Sequence, residues 1–193
     1  MRNLLFLLLL SAATGLSAQD PTDYSALSDR LADYARRSMD QDVPGLLDLT
    51  DPALFEVLPR ELLAERLTAH SGDSPFTIRV TDYAIDHLGE SIDYDGVRYA
   101  PVNCHHQLTY VLEPAAYADA NLRHRLVRML EKRHGAGRVT TSAATRTITA
   151  TVATTLLAVR RGEAPWYFFE YRSDNVGLLD LILPAVVLER VVD

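Results

Sequence analysis

Two long runs of strand-forming residues, 97–112 and 145–159, constrain this chain more than any other feature. The second is rich in Thr and Val and the first reads as strand along its length, the pattern of β-strands. Fifteen residues at roughly 3.3 Å each would reach about 50 Å, too far for a flat strand in a small domain. Strands of this length must bend or carry bulges. The run that starts at Phe76 contains a slip of the expected kind. Phe76, Ile78 and Val80 alternate with Thr77, Arg79 and Thr81, but after Asp82 the bulky positions are Tyr83 and Ile85. That change of parity predicts a bulge at Asp82. Asp95-Gly96, between Ile92-Asp93-Tyr94 and Val97-Arg98-Tyr99, predicts a two-residue hairpin. Arg161-Gly162-Glu163 turns the last long run into Trp166-Tyr167-Phe168-Phe169-Glu170-Tyr171, with both faces apolar.

Helical spacing precedes and interrupts these strands. In 25–39 the residues Leu27, Leu31, Tyr34 and Ala35 share a face. The segment 41–45 breaks that helix, 46–49 is a short apolar piece, and Asp51-Pro52 turns the chain. Pro59 opens a second helix through Leu62, Leu63, Arg66 and Leu67, which Ser71-Gly72 ends. Between the strands, 115–133 reads as one helix with the stripe Leu122, Leu126, Met129 and Leu130, stopped by Gly135. The tail 178–184 reads as a short apolar helix closing the open end of the sheet. The apolar segment 185–192 needs cover, which a second copy could supply as a homodimer. The expected fold class is α+β: N-terminal helices on a strongly curved antiparallel sheet, a half-open cone, with an extra helix between strands.

This layout resembles the nuclear-transport-factor-like superfamily, also called the ketosteroid-isomerase-like or SnoaL-like cone fold. The resemblance spans 24–183. It rests on the leading helix, the helical 40–71 region and the closing hairpin with Trp166-Tyr167-Phe168-Phe169-Glu170. The helix at 115–133 departs from the simplest family pattern and leaves the related cystatin-like arrangement, one helix on a curved sheet, as an alternative. The resemblance implies a cone interior where family enzymes hold a base and hydrogen-bond donors. It transfers no catalytic position to this chain.

The N-terminus carries an address. Arg2 is followed by the apolar run Leu4 to Leu10, and Leu16-Ser17-Ala18 before Gln19 has small residues at the cleavage spacing. Residues 1–18 therefore read as a signal peptide and 19–193 as one domain, exported to the periplasm or beyond. The apolar run is far shorter than the ~20 residues that span a bilayer, and no later stretch is apolar enough, so no membrane span is expected. The single cysteine excludes an internal disulfide, and the formal charge of −7 makes general nucleic-acid binding unexpected.

Few residues offer chemistry. On the 97–112 strand, Ala100, Val102, Cys104, His106, Leu108 and Tyr110 form an apolar face, with Tyr99, Asn103, His105, Gln107 and Thr109 on the other. Burial favours the apolar set facing inward. Cys104, His106 and Tyr110 are then the candidate ligand-binding residues, and His106 and Asp82 the candidate bases. Asp82 earns its place at the parity change, where a bulge would aim it into a pocket. His105 and His106 point oppositely and share no metal, and neither metal nor cofactor is implied by the spacings. Arg123, Arg125, Arg128, Lys132, Arg133 and Arg138 offer an anion patch or a solvated helix face paired to the chain's many carboxylates.

Two function classes follow. One is an exported non-catalytic module that binds a small apolar ligand or a protein partner. The other is a small cofactor-free isomerase, dehydratase or hydrolase-type enzyme with a base inside the cone. For the exported chain, N-terminal sequencing should start at Gln19 or within a residue or two. A chain retaining Met1 would refute the signal.

Overall fold

The structure is a computed structural model that describes residues 21–68, 74–171 and 176–192. The signal and its cleavage point and the Ser71-Gly72 helix stop lie outside the described residues. The chain runs through four N-terminal helices, α1 (Pro21–Asp40), α2 (Val43–Leu49), α3 (Pro52–Val57) and α4 (Arg60–Thr68). Three strands follow, β1 (Phe76–Leu88), β2 (Ile92–Tyr94) and β3 (Val97–Leu112). Two helices, α5 (Pro114–Ala118) and α6 (Ala120–His134), precede β4 (Val139–Ser142), β5 (Thr147–Arg161) and β6 (Tyr167–Tyr171). The tail forms α7 (Val176–Leu179) and α8 (Ala185–Val192). The six strands make one curved, unclosed antiparallel sheet, in the order β1-β3-β5-β4, with β2 on β3 and β6 on β5. This is the expected α+β class.

β3 and β5 pair without interruption from Val97↔Arg161 to Val111↔Thr147. Because side chains alternate, this register commits each position to one face. Ala100, Val102 and Cys104 join Leu156, Ala158, Trp166 and Phe168 beneath Leu27 and Leu31 of α1. Further along the same face, Tyr110, Leu112, Ile148 and Ala150 pack under Leu126 and Leu130 of α6. Among the described residues, the opposite face is covered at the β2 end, where Ile92, Tyr99, Leu157, Val159 and Phe169 meet Leu54, Leu179, Leu183 and Val187.

Two expectations change here. Tyr99, placed with the polar set by parity, is 4% exposed because the tail helices cover its face. The tail covers this face of the sheet, and Val187 and Leu188 of α8 are buried within their own chain. The cover that a second copy was expected to supply is therefore intramolecular at these residues. The apolar Phe169 face of β6 likewise meets helices of this chain, and Trp166 lies in the core as its place in the closing run implied.

The local signals explain most boundaries. Asp95 and Gly96 both have positive φ (49° and 74°), the geometry of the tight hairpin their sequence predicts. Gly135 ends α6 at φ 105°. The single helix expected over 115–133 is split, because the Asp119 carboxylate accepts from the backbone N–H groups of Asn121 and Leu122 and caps a new helix. Met129, counted in its apolar stripe, is 52% exposed. The Asp51-Pro52 turn proves to be the start of α3, with Asp51 capping Ala53 N–H at 2.8 Å.

Asp51 also ties the helices to the sheet. Its backbone N–H donates to Phe168 O, and its carboxylate meets the Arg161 guanidinium at 2.5 Å. The Asp51 side chain is fully buried, whereas Arg161 is 40% exposed. That asymmetry sets the cost of breaking the pair. Arg161→Met leaves the buried carboxylate with the Ala53 N–H but no cation and should destabilise by up to about 3–5 kcal/mol. Asp51→Asn leaves a cation that water can reach and should cost less. Urea denaturation of the two variants checks the order, and equal losses would contradict it.

Candidate functional site

The bulge is where the sequence placed it, but it aims a different residue. β1 pairs with β3 from Phe76↔Leu112 to Thr81↔Gln107 and resumes at Ala84↔His105. Asp82 and Tyr83 thus stand against the single residue His106. Asp82 takes a left-handed backbone (φ 51°) and its side chain is exposed. Tyr83 takes the inward place, and its ring stacks on His106 at 5.3 Å between centroids with 8° between planes. The extra residue turns outward and the one after it turns in. Asp82 is therefore not the inward base that the parity change suggested. A second irregularity, between Ile85 and His87, leaves Asp86 to meet His105 Nδ1 at 2.6 Å on the exposed opposite face.

On the helix-bearing face these residues build a small aromatic and thiol cluster. The Tyr83 hydroxyl donates to Cys104 Sγ at 3.2 Å, and the thiol donates to Thr154 O at 3.5 Å. Tyr34 of α1 meets Tyr83 edge-on at 6.1 Å and Phe168 at 5.4 Å. Thr154 Oγ1 donates to Glu170 at 3.1 Å. Tyr34 and Tyr83 were not foreseen as site residues. The only sequence signal for Tyr83 was its position just after the parity change.

The thiol, the two phenols and the imidazole of this cluster are each pushed toward the neutral form. Burial pushes the Cys104 thiol up, offset in part by the Tyr83 hydrogen bond and reinforced by the Glu170 charge. A thiol so placed is a poor nucleophile. Burial also raises both Tyr34 and Tyr83 far above the ordinary phenol range. His106 is lowered, first by desolvation and then by the charges of His134 and His105. Its Nδ1 is buried and has no hydrogen-bond partner among the described residues. No carboxylate faces it, so nothing opposes the desolvation.

The three candidate ligand-binding residues share a face of β3 but fall in different parts of the packing on it. Cys104 belongs to the core under α1, and Tyr110 to the core under α6, edge-on to Phe76 at 5.4 Å. His106 and its cross-strand partner Val152 lie between these cores and belong to neither. A crevice of about 20 Å³ near Trp166 has room for about one water. A shallow groove of about 250 Å³ runs between α2 and α4, lined by Val43, Pro44, Leu47, Arg60, Glu61 and Ala64. Neither is lined by Cys104, His106 or Tyr110.

Among the described residues, no three His, Cys, Asp or Glu side chains converge as a metal site. No helix among them is long and apolar enough to cross a membrane. No protein-family model matches the chain, and no curated protein matches it in sequence.

His106 makes the fold sensitive to acid. Its folded pKa lies below the ordinary value of about 6.5, so the unfolded chain binds the proton more readily. The stability it contributes is complete above that value and is lost as pH falls through the folded pKa. His106→Phe keeps a ring to stack on Tyr83 and removes the titrating group. Urea midpoints should then fall less between about pH 7 and pH 5 than in the parent chain. Identical losses in both proteins would show that other groups set the acid limit.

Proposed function

We propose that this chain is an exported, non-catalytic binding module. Its working surface is the strip of sheet between α1 and α6, and its ligand is small and largely apolar with a single polar group. The observation that carries this reading is the buried, unpartnered Nδ1 of His106 on an otherwise apolar face. A buried polar atom without a partner costs about 1–3 kcal/mol, which a ligand hydroxyl or carbonyl would recover once the half-buried side chains over it move aside. Val80, Tyr83, Leu108 and Val152 around it are half-buried, so the strip retains apolar surface that a ligand can cover. The stacked Tyr83–His106 pair offers a flat platform.

The neutral state of the cluster supports binding over catalysis. A general base works best near the operating pH and needs a partner that orients it, whereas His106 is pushed down and has no carboxylate beside it. Cys104 is pushed up, and Asp82 faces solvent. The resemblance to the nuclear-transport-factor-like cone folds is part of this proposal. What supports it is the leading helix laid on a curved, unclosed sheet that also carries the closing strand.

1-Naphthol is a suitable probe, since it joins an apolar ring system to one hydroxyl. Titration followed by tryptophan or probe fluorescence should give saturable binding, weakened about tenfold or more in His106→Phe through loss of the hydrogen bond. Binding that ignores His106→Phe, or no binding at millimolar probe, would refute the strip as a ligand site.

A further inference from the structure

The charge of this molecule is segregated, and the positive part has an ordered surface. Residues 121–146 hold seven of the 19 Lys and Arg but only one of the 26 Asp and Glu, in a chain whose net charge is −7. Along α6, Arg125, Arg128, Met129 and Lys132 stand at i, i+3, i+4 and i+7. At 100° per residue they fall within about a 100° arc. That arc flanks the buried stripe of Leu126 and Leu130, which anchor the helix to the sheet, with Met129 at the edge nearest Leu122 and the three cations turned further out. All four residues are exposed, Met129 by 52%. The one acidic residue of the helix, Glu131, falls outside the arc.

These cations are also uncommitted. Arg123 is spent on Tyr117, donating to its carbonyl and lying over its ring at 4.8 Å. Among the described residues, Arg125, Arg128 and Lys132 make no ion pair or hydrogen bond. Some arginines elsewhere pair with nearby carboxylates, as Arg37 does with Asp33 and Asp42 and Arg60 with Asp48, while Arg66, Arg79 and Arg190 do not. The solvated-face reading of this helix expected such pairing, and at these three positions it is absent.

We propose that the outer face of α6 is a docking surface for an anionic phospholipid bilayer, with Arg125, Arg128 and Lys132 on the headgroups and Met129 reaching the acyl boundary. A flat bilayer meets one face of the molecule and leaves the acidic remainder in solvent. A long nucleic acid that wraps its partner would meet that acidic remainder and be repelled. An exposed methionine among cations matches a surface that is charged outside and apolar beneath, which a row of phosphates alone is not.

The test is co-sedimentation of the full chain with vesicles of phosphatidylcholine alone and of phosphatidylcholine with phosphatidylglycerol in equal parts. The readout is the change in the ratio of partitioning between the two compositions from parent to variant, in which the contribution of Arg2 and the apolar run Leu4 to Leu10 is common to both. Each cation at an anionic surface adds about fivefold. The triple variant Arg125→Gln, Arg128→Gln, Lys132→Gln should therefore lose about a hundredfold of that ratio, as should the parent chain in about 0.5 M salt. Met129→Ser should weaken vesicle binding several-fold and leave any binding to duplex DNA unchanged. Equal partitioning onto both compositions, or an unaffected triple variant, would overturn the proposal. Duplex DNA bound as tightly as anionic vesicles would replace the bilayer by a general polyanion.

Discussion

The uninterrupted pairing of β3 with β5 is the constraint on which the rest of this structure depends. Fifteen consecutive partners leave no freedom of register, so parity assigns Cys104, His106 and Tyr110 to the helix-bearing face and Asn103, His105 and Thr109 to the other. One residue of slip would expose Val102 and Leu156, which are among the most buried in the chain. The ladder is longer than any one helix can cover. α1 therefore protects one end of the face and α5–α6 the other, which leaves the His106 strip between them. The neighbouring β1 cannot follow the same path without correction, and it takes up the difference in the bulge at Asp82.

The sequence makes features visible when they rest on local chemistry. The Asp95-Gly96 hairpin, the Gly135 stop, the bulge and the parity of β3 each follow from a few adjacent residues, and each stands in the structure. What the sequence hid depends on distant partners. The buried position of Asp51 follows from Arg161 and Phe168, more than a hundred residues away. Val139–Ser142 is too short to show a strand period, and it becomes β4 only because Thr147–Ala150 presents an edge. Tyr99 sits on a face that parity marks as polar, and the tail helices alone make it core.

The candidate site shows the same division. Periodicity located His106 and Cys104 on the buried face. It also located the bulge, but could not say which of two adjacent residues would turn inward, because that depends on one backbone dihedral. The left-handed conformation of Asp82 decides it, and Asp is among the residues that tolerate such geometry without glycine. A carboxylate opposite His106 would have raised its proton affinity and made a base. A tyrosine ring there makes a stacked, neutral pair. Whether a carboxylate stands opposite His106 thus turns on the direction of a single side chain.

Electrostatics connects the interior to the outer faces. Taking a charge out of water is costly without a partner, and among the described residues the one fully buried charged side chain is Asp51, which has Arg161. The cluster around His106 avoids that cost by staying neutral. Charges are therefore expelled to the surface, where nothing in the fold requires the two signs to mix. On α1 they do mix, because Asp33 stands three and four residues before Arg36 and Arg37 and bonds both. Along the outer arc of α6 no carboxylate occupies the corresponding positions, so its cations remain unneutralised. Two helices on the same face of one sheet thus present opposite solutions: α1 closes its charges on itself, and α6 leaves them open to whatever the protein meets.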